Sequence, residues 1–169
     1  MKLSQVVGLP VVDTHVARQA GVISDVLIDV QAGRVAVINV QHADGWQVQR
    51  IPAEYVYRLG RHMVLVAETL AIDMGPPPDD ARWLPAKTLV GLEVLTDGGD
   101  RVGHVADADL DNQSLAVKAY LLKGPRGAWR RRPRVHPDQV VNASRELMLV
   151  RAPSAKPQGL AESGLRPRS

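Results

Sequence analysis

The residues with the clearest potential for chemistry are three aspartates at alternate positions, Asp107, Asp109 and Asp111. Alternate side chains share one face of a strand, so three carboxylates could converge as metal ligands do. A calcium loop would also need Gly at its sixth position and Glu at its twelfth, where Asn112 and Lys118 stand. The spacing therefore favours a solvated face with turn capping, and it predicts no metal site.

A second pair of carboxylates, Asp25 and Asp29, repeats the spacing of Asp107 and Asp111. Paired carboxylates perform acid–base catalysis when they meet in a cleft. Recurrence beside predicted turns favours a structural role instead, in which Asp29 and Asp111 accept hydrogen bonds from turn N–H groups.

Other catalytic patterns are missing from the sequence. There is no Cys, no Gly-x-Ser-x-Gly and no glycine-rich phosphate loop, and the five His have no ligand spacing. Only His136 falls in a repeated motif, at the place of Pro52, where a surface or turn role is expected. We predict a protein that is not an enzyme and has no cofactor.

An arginine-rich segment is the strongest candidate for binding. Five Arg lie within nine residues beside one Trp, and such a group can contact phosphates and stack on bases. A solvated edge strand, ion pairs with the Asp-rich strand and docking to an acidic protein stay open as alternatives. The candidate binding residues are Arg126, Trp129, Arg130, Arg131, Arg132 and Arg134.

The first half of the chain contains a counterpart of this segment, residues 45–50, which keeps one Trp but only one Arg. We therefore interpret Trp46 as part of the architecture of a repeat, and the added charge as particular to the second copy. Polar and apolar residues alternate over residues 46–51, which predicts a strand with one wet and one dry face.

Four blocks of sequence recur in the same order. Residues 7–12 match 90–95, 21–29 match 103–111, 51–56 match 135–140, and 63–66 match 147–150. The offset changes only between blocks, where loops absorb insertions. The chain is therefore predicted to consist of two copies of one small domain.

The repeat sets the predicted domain boundaries. Repeat 1 covers residues 1–72 and repeat 2 covers residues 86–152, with a proline-rich linker at 73–85 between them. Residues 153–169 change to Pro, Ser, Ala, Gly and Arg, which predicts a disordered tail.

Composition and turn signals predict a mostly β fold. Apolar residues make up 45% of the 169 residues, with no Phe, so branched aliphatic residues must fill the core. Each repeat is expected to hold five to six short antiparallel strands and one short helical turn that begins at Pro52. A unit of about 65 residues buries roughly 60% of its unfolded surface, so we expect the repeats to pack as a pseudo-symmetric pair.

Three motifs resemble the PRC-barrel family, which is named for the cytoplasmic domain of the photosynthetic reaction-centre H subunit and includes the C-terminal domain of a ribosome-maturation factor. They are Val-Gly-Leu-x-Val at residues 7–11, Gly-x-Val/Ile-x-Asp-x-x-x-Asp at 21–29, and Ile-Pro-x-Glu-x-Val at 51–56. Repeat 2 keeps the first two and loosens the third. The motif residues, for which we expect structural roles, are Gly8, Gly21, Asp25, Asp29, Pro52 and Glu54, then Gly91, Gly103, Asp107 and Asp111.

The resemblance implies an adaptor that docks onto other proteins, and it carries no substrate. We expect a non-catalytic docking or scaffolding module, the regulatory part of a larger assembly or a longer chain. It is expected in the cytoplasm, since the sequence has no signal peptide and no apolar run long enough to span a bilayer. A membrane-protein partner and a homodimer stay open. The alternative is a nucleic-acid or ribosome-associated module that uses the arginine-rich strand.

Overall fold

The structure, a computed structural model, describes residues 1–67, 83–124 and 133–152. These residues form two β-sheets with a few short helices. The predicted mostly β fold with two barrel-like units is confirmed. Residues 73–82 of the predicted linker and the predicted tail, 153–169, lie outside the described residues.

Sheet 1 is formed by repeat 1 and by three residues that precede repeat 2. In chain order its elements are α1 (Leu3–Val6), β1 (Pro10–Asp13), β2 (Arg18–Asp29), β3 (Arg34–Gln41), β4 (Val48–Pro52), a 3₁₀ turn (Ala53–Tyr55), β5 (Val56–Leu59), β6 (Val64–Val66) and β7 (Trp83–Pro85). The strands pair in the order β4-β3-β2-β1-β6-β5, and β7 pairs with the end of β2.

Sheet 2 repeats this plan. Its elements are α2 (Ala86–Leu89), β8 (Glu93–Thr96), β9 (Arg101–Leu110), β10 (Val117–Lys123), β11 (Arg134–Val135), a 3₁₀ turn (Pro137–Gln139), β12 (Val140–Ala143) and β13 (Leu147–Val150). The strands pair in the order β11-β10-β9-β8-β13-β12.

Two details differ from the sequence prediction. The first and last blocks of each repeat pair in parallel, β1 with β6 and β8 with β13, whereas only antiparallel pairs were expected. A parallel pair between the ends of a repeat needs a long crossover, and here the rest of the repeat supplies it. Each repeat also has a second short helix, α1 or α2, and the first 3₁₀ turn begins at Ala53, one residue after Pro52.

Four β-bulges occur at matching positions in the two sheets. A bulge inserts one unpaired residue and bends the strand, which curves a small sheet toward closure. The bulged residues are Ala20, Ser24, Ala36 and Tyr57 in sheet 1, and Val102, Ala106, Lys118 and Val141 in sheet 2. The repeat is therefore present in the backbone register as well as in the sequence.

Two motif glycines are required by a close approach between strands. A Cβ on Gly21 would overlap the backbone carbonyl oxygen of Gln41, and a Cβ on Gly103 would overlap that of Lys123. Because the blocking atoms belong to the backbone, no side-chain rotation can make room for a larger residue.

The two repeats exchange their leading segments, which we call leader 1 (residues 1–6) and leader 2 (residues 84–89). Leader 1 lies on sheet 2, where Lys2 pairs with Asp109. Leader 2 starts on sheet 1, where Pro85 pairs with Leu27, the equivalent of Asp109. Each leader thus pairs with the sheet of the other repeat, and the chain then continues into the strands of the leader's own repeat.

A pseudo-twofold axis passes between two equivalent residues, Arg34 and Ala116, which pair with each other. The Val35 N–H donates to the Leu115 carbonyl oxygen at 2.9 Å, and the Val117 N–H donates to the Gly33 carbonyl oxygen at 2.8 Å. The buried side chains of both repeats form one contiguous core that includes Leu3 and Leu89 from the leaders. The repeats therefore share one core.

Within the described ranges, no helix is long and apolar enough to cross a lipid bilayer.

Candidate functional site

The outer face of sheet 1 presents apolar side chains to solvent at one end. Val22, Gln41 and Val48 lie directly opposite one another on β2, β3 and β4, so their side chains share one face. Val22 is 39% exposed and Val48 is 53% exposed. We call these three residues and Trp46 the repeat 1 outer face.

Trp46 is the most exposed large apolar residue in the described part of the chain, at 92%. It lies in the turn between β3 and β4, and hydrogen bonds from side chains to the turn's backbone groups hold that turn. The Asp44 carboxylate accepts hydrogen bonds from the N–H groups of Trp46 at 2.9 Å and Gln47 at 3.2 Å, which lower the pKa of Asp44. The Gln41 side-chain amide donates to the Gly45 carbonyl oxygen at 2.7 Å. The indole is therefore presented on an ordered turn without packing against the core.

A shallow concavity of about 270 Å³ adjoins this face. Its lining includes Val22, Gln41 and His42. An exposed Trp beside an apolar concavity is typical of a protein-binding surface, because Trp is the residue most enriched among binding hot spots.

The equivalent positions in sheet 2 are basic. His104 replaces Val22 and Lys123 replaces Gln41, and the two pair directly with each other. Arg134, at the position of Arg50, pairs with Leu121 on β10 and is exposed. The two faces thus differ at two positions, where repeat 1 has Val22 and Gln41 and repeat 2 has His104 and Lys123, while both have an arginine at the third.

The arginine-rich candidates lie mostly outside the described residues. Only Arg134 is described; Arg126, Trp129, Arg130, Arg131 and Arg132 are not. Arg134 lies on the same sheet face as Lys123, since Leu121 and Lys123 are two residues apart on β10. The structure therefore places one of the six predicted residues on the same sheet face as another cation.

The comparison with family models decides the fold family. Residues 1–71 match the PRC-barrel domain model. The first repeat is a PRC-barrel domain. The resemblance stated from the motifs is confirmed for this half of the chain, and sheet 2 repeats its strand order and its bulges. A comparison with curated proteins finds no match for this chain.

In both repeats, the first aspartate of the Gly-x-x-x-Asp motif caps the leader of the other repeat. Asp25 accepts the Ala86 N–H at 3.1 Å, and its second oxygen lies 3.5 Å from the Lys87 ammonium. Asp107 accepts the Ser4 N–H at 3.0 Å and also the Ser4 hydroxyl. Both carboxylates are buried, so their hydrogen-bonding capacity is used to hold the repeats together.

The second aspartate of the motif caps a turn. Asp29 accepts the Ala32 N–H at 2.9 Å, and Asp111 accepts the N–H groups of Gln113 and Ser114 at 2.9 and 2.8 Å. The Ser114 and Gln113 N–H groups and the Ser114 hydroxyl lower the pKa of Asp111 to about 2.

Asp109 completes the alternating triad with a third role, since its carboxylate lies 3.3 Å from the ammonium of Met1. The three aspartates of β9 and its end thus contact three different groups. Among the described residues, no three His, Asp or Glu side chains are grouped so that they could hold a metal ion.

The remaining motif residues shape the backbone. Gly8 and Gly91 both have φ +95°, and their N–H groups donate to Ile23 and Val105 at 2.8 and 2.7 Å. Pro52 precedes the first 3₁₀ turn, and Glu54 lies exposed within it. His136 precedes the second turn, where its Nδ1 accepts the Asp138 N–H at 3.3 Å.

The interpretation of Trp46 as part of the repeat's architecture is wrong, because a side chain 92% exposed packs against very little. In residues 46–51, the apolar Trp46 and Val48 face solvent. The face that was expected to be dry is therefore the wet one. A sequence signal was available, since Asp44 and Gly45 mark a tight turn and a Trp directly after it starts at the rim of the sheet.

Proposed function

We propose that the chain is a non-catalytic docking module that binds a partner protein through the repeat 1 outer face. The observation that supports it is Trp46, 92% exposed on an ordered turn and flanked by Val48 and Val22. A PRC-barrel domain is consistent with a binding or scaffolding role.

Preorganisation strengthens this proposal. Binding costs free energy when side chains and loops must be ordered at the interface. The Asp44 and Gln41 hydrogen bonds already order the turn that carries Trp46. A partner with an apolar surface would therefore gain most of the free energy of burying the indole.

The structural roles of the motif aspartates also favour docking over catalysis. Asp25 and Asp107 are buried and hydrogen-bonded to backbone groups of the leaders. A carboxylate with its lone pairs occupied by structural donors is poorly placed to take a proton from a substrate.

A second candidate, nucleic-acid binding by repeat 2, rests on the basic face formed by His104, Lys123 and Arg134. The two candidates differ in salt dependence. Four phosphate contacts give a log–log slope of about −3.6, whereas apolar docking is nearly independent of salt.

The test is affinity capture by the full chain from the source cells, with and without nuclease, at low and moderate salt. Trp46→Ala is compared with Tyr57→Ala, because Tyr57 is also highly exposed, at 73%, but lies on β5. We expect Trp46→Ala to weaken binding of the partner by about 2 kcal/mol or more, roughly 30-fold. Tyr57→Ala is expected to leave the affinity unchanged.

Capture that resists nuclease and salt but is lost in Trp46→Ala supports the docking proposal. Capture that disappears with nuclease and with salt, and is equal in both variants, contradicts it and favours the basic face of repeat 2.

A further inference from the structure

A concavity of about 240 Å³ lies beside Trp83, where β7 completes sheet 1. Its polar lining comes from Asp29, Glu54 and Arg34, and its apolar lining includes Ala36, Pro52 and the Trp83 side chain. It is at the opposite end of β3 and β4 from Trp46, so it is separate from the repeat 1 outer face.

The equivalent positions in repeat 2 hold a lysine and a histidine. Lys118 is the bulged residue of β10, as Ala36 is the bulged residue of β3, and its ammonium lies 4.0 Å from Asp111. His136 precedes the 3₁₀ turn, as Pro52 does, and its Nδ1 lies 3.1 Å from Asp138. The fold itself therefore places an alkylammonium group against this carboxylate in one of its two copies.

In repeat 1 the same two positions hold no cation. Ala36 stands in place of Lys118 and Pro52 in place of His136, while both carboxylates remain, as Asp29 and Glu54. Among the described residues neither Asp29 nor Glu54 forms an ion pair. The concavity thus lies beside Ala36, the position that Lys118 occupies in repeat 2.

Arg34 compensates this charge only in part. It lies across from Asp29 in the β2–β3 pairing, but no ion pair joins their side chains. Two carboxylates and one guanidinium leave a net charge of −1 around the concavity. A cationic ligand is therefore favoured over an anion.

Trp83 adds an aromatic side chain to the concavity. Its half-buried indole lines the concavity, and an aromatic face attracts an ammonium group through the ring quadrupole.

We propose that the concavity formed by Asp29, Glu54 and Trp83 binds a primary ammonium group on a flexible alkyl chain. Its volume of 240 Å³ corresponds to about eight water molecules at roughly 30 Å³ each, enough for a butyl chain with its ammonium. The contacts are exposed, so the dissociation constant for a single alkylammonium is on the order of millimolar.

The experiment is an NMR titration of the full chain, which follows the indole N–H of Trp83 after assignment with Trp83→Phe. The probes are butylammonium chloride and N-acetyl-lysine amide, with 1-butanol as the neutral control. We expect saturable shifts of the Trp83 signal with both cations and none with 1-butanol.

The matched variants come from the repeat itself. Ala36→Lys restores the cation of repeat 2 and is expected to weaken binding at least tenfold. Lys118→Ala removes that cation at the equivalent site and is expected to leave the Trp83 response unchanged. If Ala36→Lys fails to fold, Glu54→Gln replaces it, with an expected several-fold weakening.

Tighter binding of N-acetyl-lysine amide supports the site and identifies a lysine side chain of a partner as the source. Equal or tighter binding of butylammonium supports the site for a free amine. Shifts that are the same with 1-butanol, that persist in Ala36→Lys and Glu54→Gln, or that do not saturate overturn the proposal. Because Trp46 is not involved, this result is independent of the docking test.

Discussion

Repeat 1 and repeat 2 share a backbone but differ in the side chains that face solvent. Both have the same strand order and the same four bulges, and both place an aspartate on the leader of the other repeat. Val22 and Gln41 in repeat 1 correspond to His104 and Lys123 in repeat 2. The positions that fix the register are retained, whereas the exposed positions are free to diverge.

The two repeats also differ in whether a carboxylate is paired with a side chain of the protein or is open to an external cation. In repeat 2, the Lys118 ammonium lies near Asp111, and the His136 ring lies beside Asp138. In repeat 1, Ala36 and Pro52 stand at these positions, and among the described residues neither Asp29 nor Glu54 forms an ion pair. Duplication allows one copy to keep the internally paired version of a site while the other copy exposes it.

The largest effect is expected from the glycines that both repeats share. Gly21→Ala and Gly103→Ala place a Cβ against a backbone carbonyl oxygen, so each should cost about 3 kcal/mol or more, or prevent folding. Gly98→Ala is the control, because its Cβ would meet only Thr96 and Asp100 side chains at 3.6 Å and beyond. Urea denaturation measures all three, and a tolerated Gly21→Ala would contradict the close approach of the strands.

The next effect concerns the exchanged leaders. Asp25→Ala and Asp107→Ala each remove a buried cap from leader N–H groups, so each should lower the free energy of unfolding by about 1–3 kcal/mol. Asp138→Ala, at an exposed carboxylate beside His136, should change it by less than about 0.5 kcal/mol. Because the repeats share a core, unfolding should stay a single transition, and two separate transitions would show that the repeats are independent.

A smaller effect with the opposite sign is expected at Tyr120, which stands where repeat 1 has Ile38. Its side chain is fully buried, and its hydroxyl has no hydrogen-bond partner among the described residues. Burial, and secondarily the charge of Asp29, raises the pKa of Tyr120. Tyr120→Phe should therefore stabilise the protein by about 1 kcal/mol, and a clear loss in thermal or urea denaturation would reveal a partner for the hydroxyl.

The smallest effect is the pH dependence from Asp111. Its pKa is lowered to about 2, so its contribution to stability is present above about pH 4 and is lost as the pH falls through 2. Carbon NMR of the carboxyl group should give a midpoint near 2. Asp111→Asn should reduce the slope of stability between pH 4 and pH 2, and an unchanged slope would assign that dependence to other carboxylates.

Local signals made the repeat, the turns and most strands predictable. The blocks at 21–29 and 103–111 predict β2 and β9, and turn residues such as Gly33 and Gly45 separate the strands. The short helices were not predictable, because four residues at 3–6 show no helical periodicity. The contact between Asp107 and Ser4 spans 103 residues, and no local pattern in either segment encodes it.

The candidate site was only partly predictable for the same reason. Composition drew attention to the arginines at 126–134, whereas the turn at Asp44 and Gly45 placed Trp46 at the rim of the sheet without showing that its side chain is 92% exposed. Whether a Trp packs or points outward depends on which elements cover its strand. That is a tertiary property, and Val22 and Trp46 are 24 residues apart in sequence.

Docking through the repeat 1 outer face is tested most directly by site-specific photo-cross-linking of the full chain in its own cells. The photoreactive residue is placed at one of two equivalent positions, 22 or 104. Both lie on the outer face of their sheets. We predict that a photoreactive residue at position 22 yields a protein adduct that is lost on adding Trp46→Ala, and that position 104 yields no such adduct. An adduct of the same protein from position 104, or one from position 22 that persists in Trp46→Ala, would contradict docking through the repeat 1 outer face.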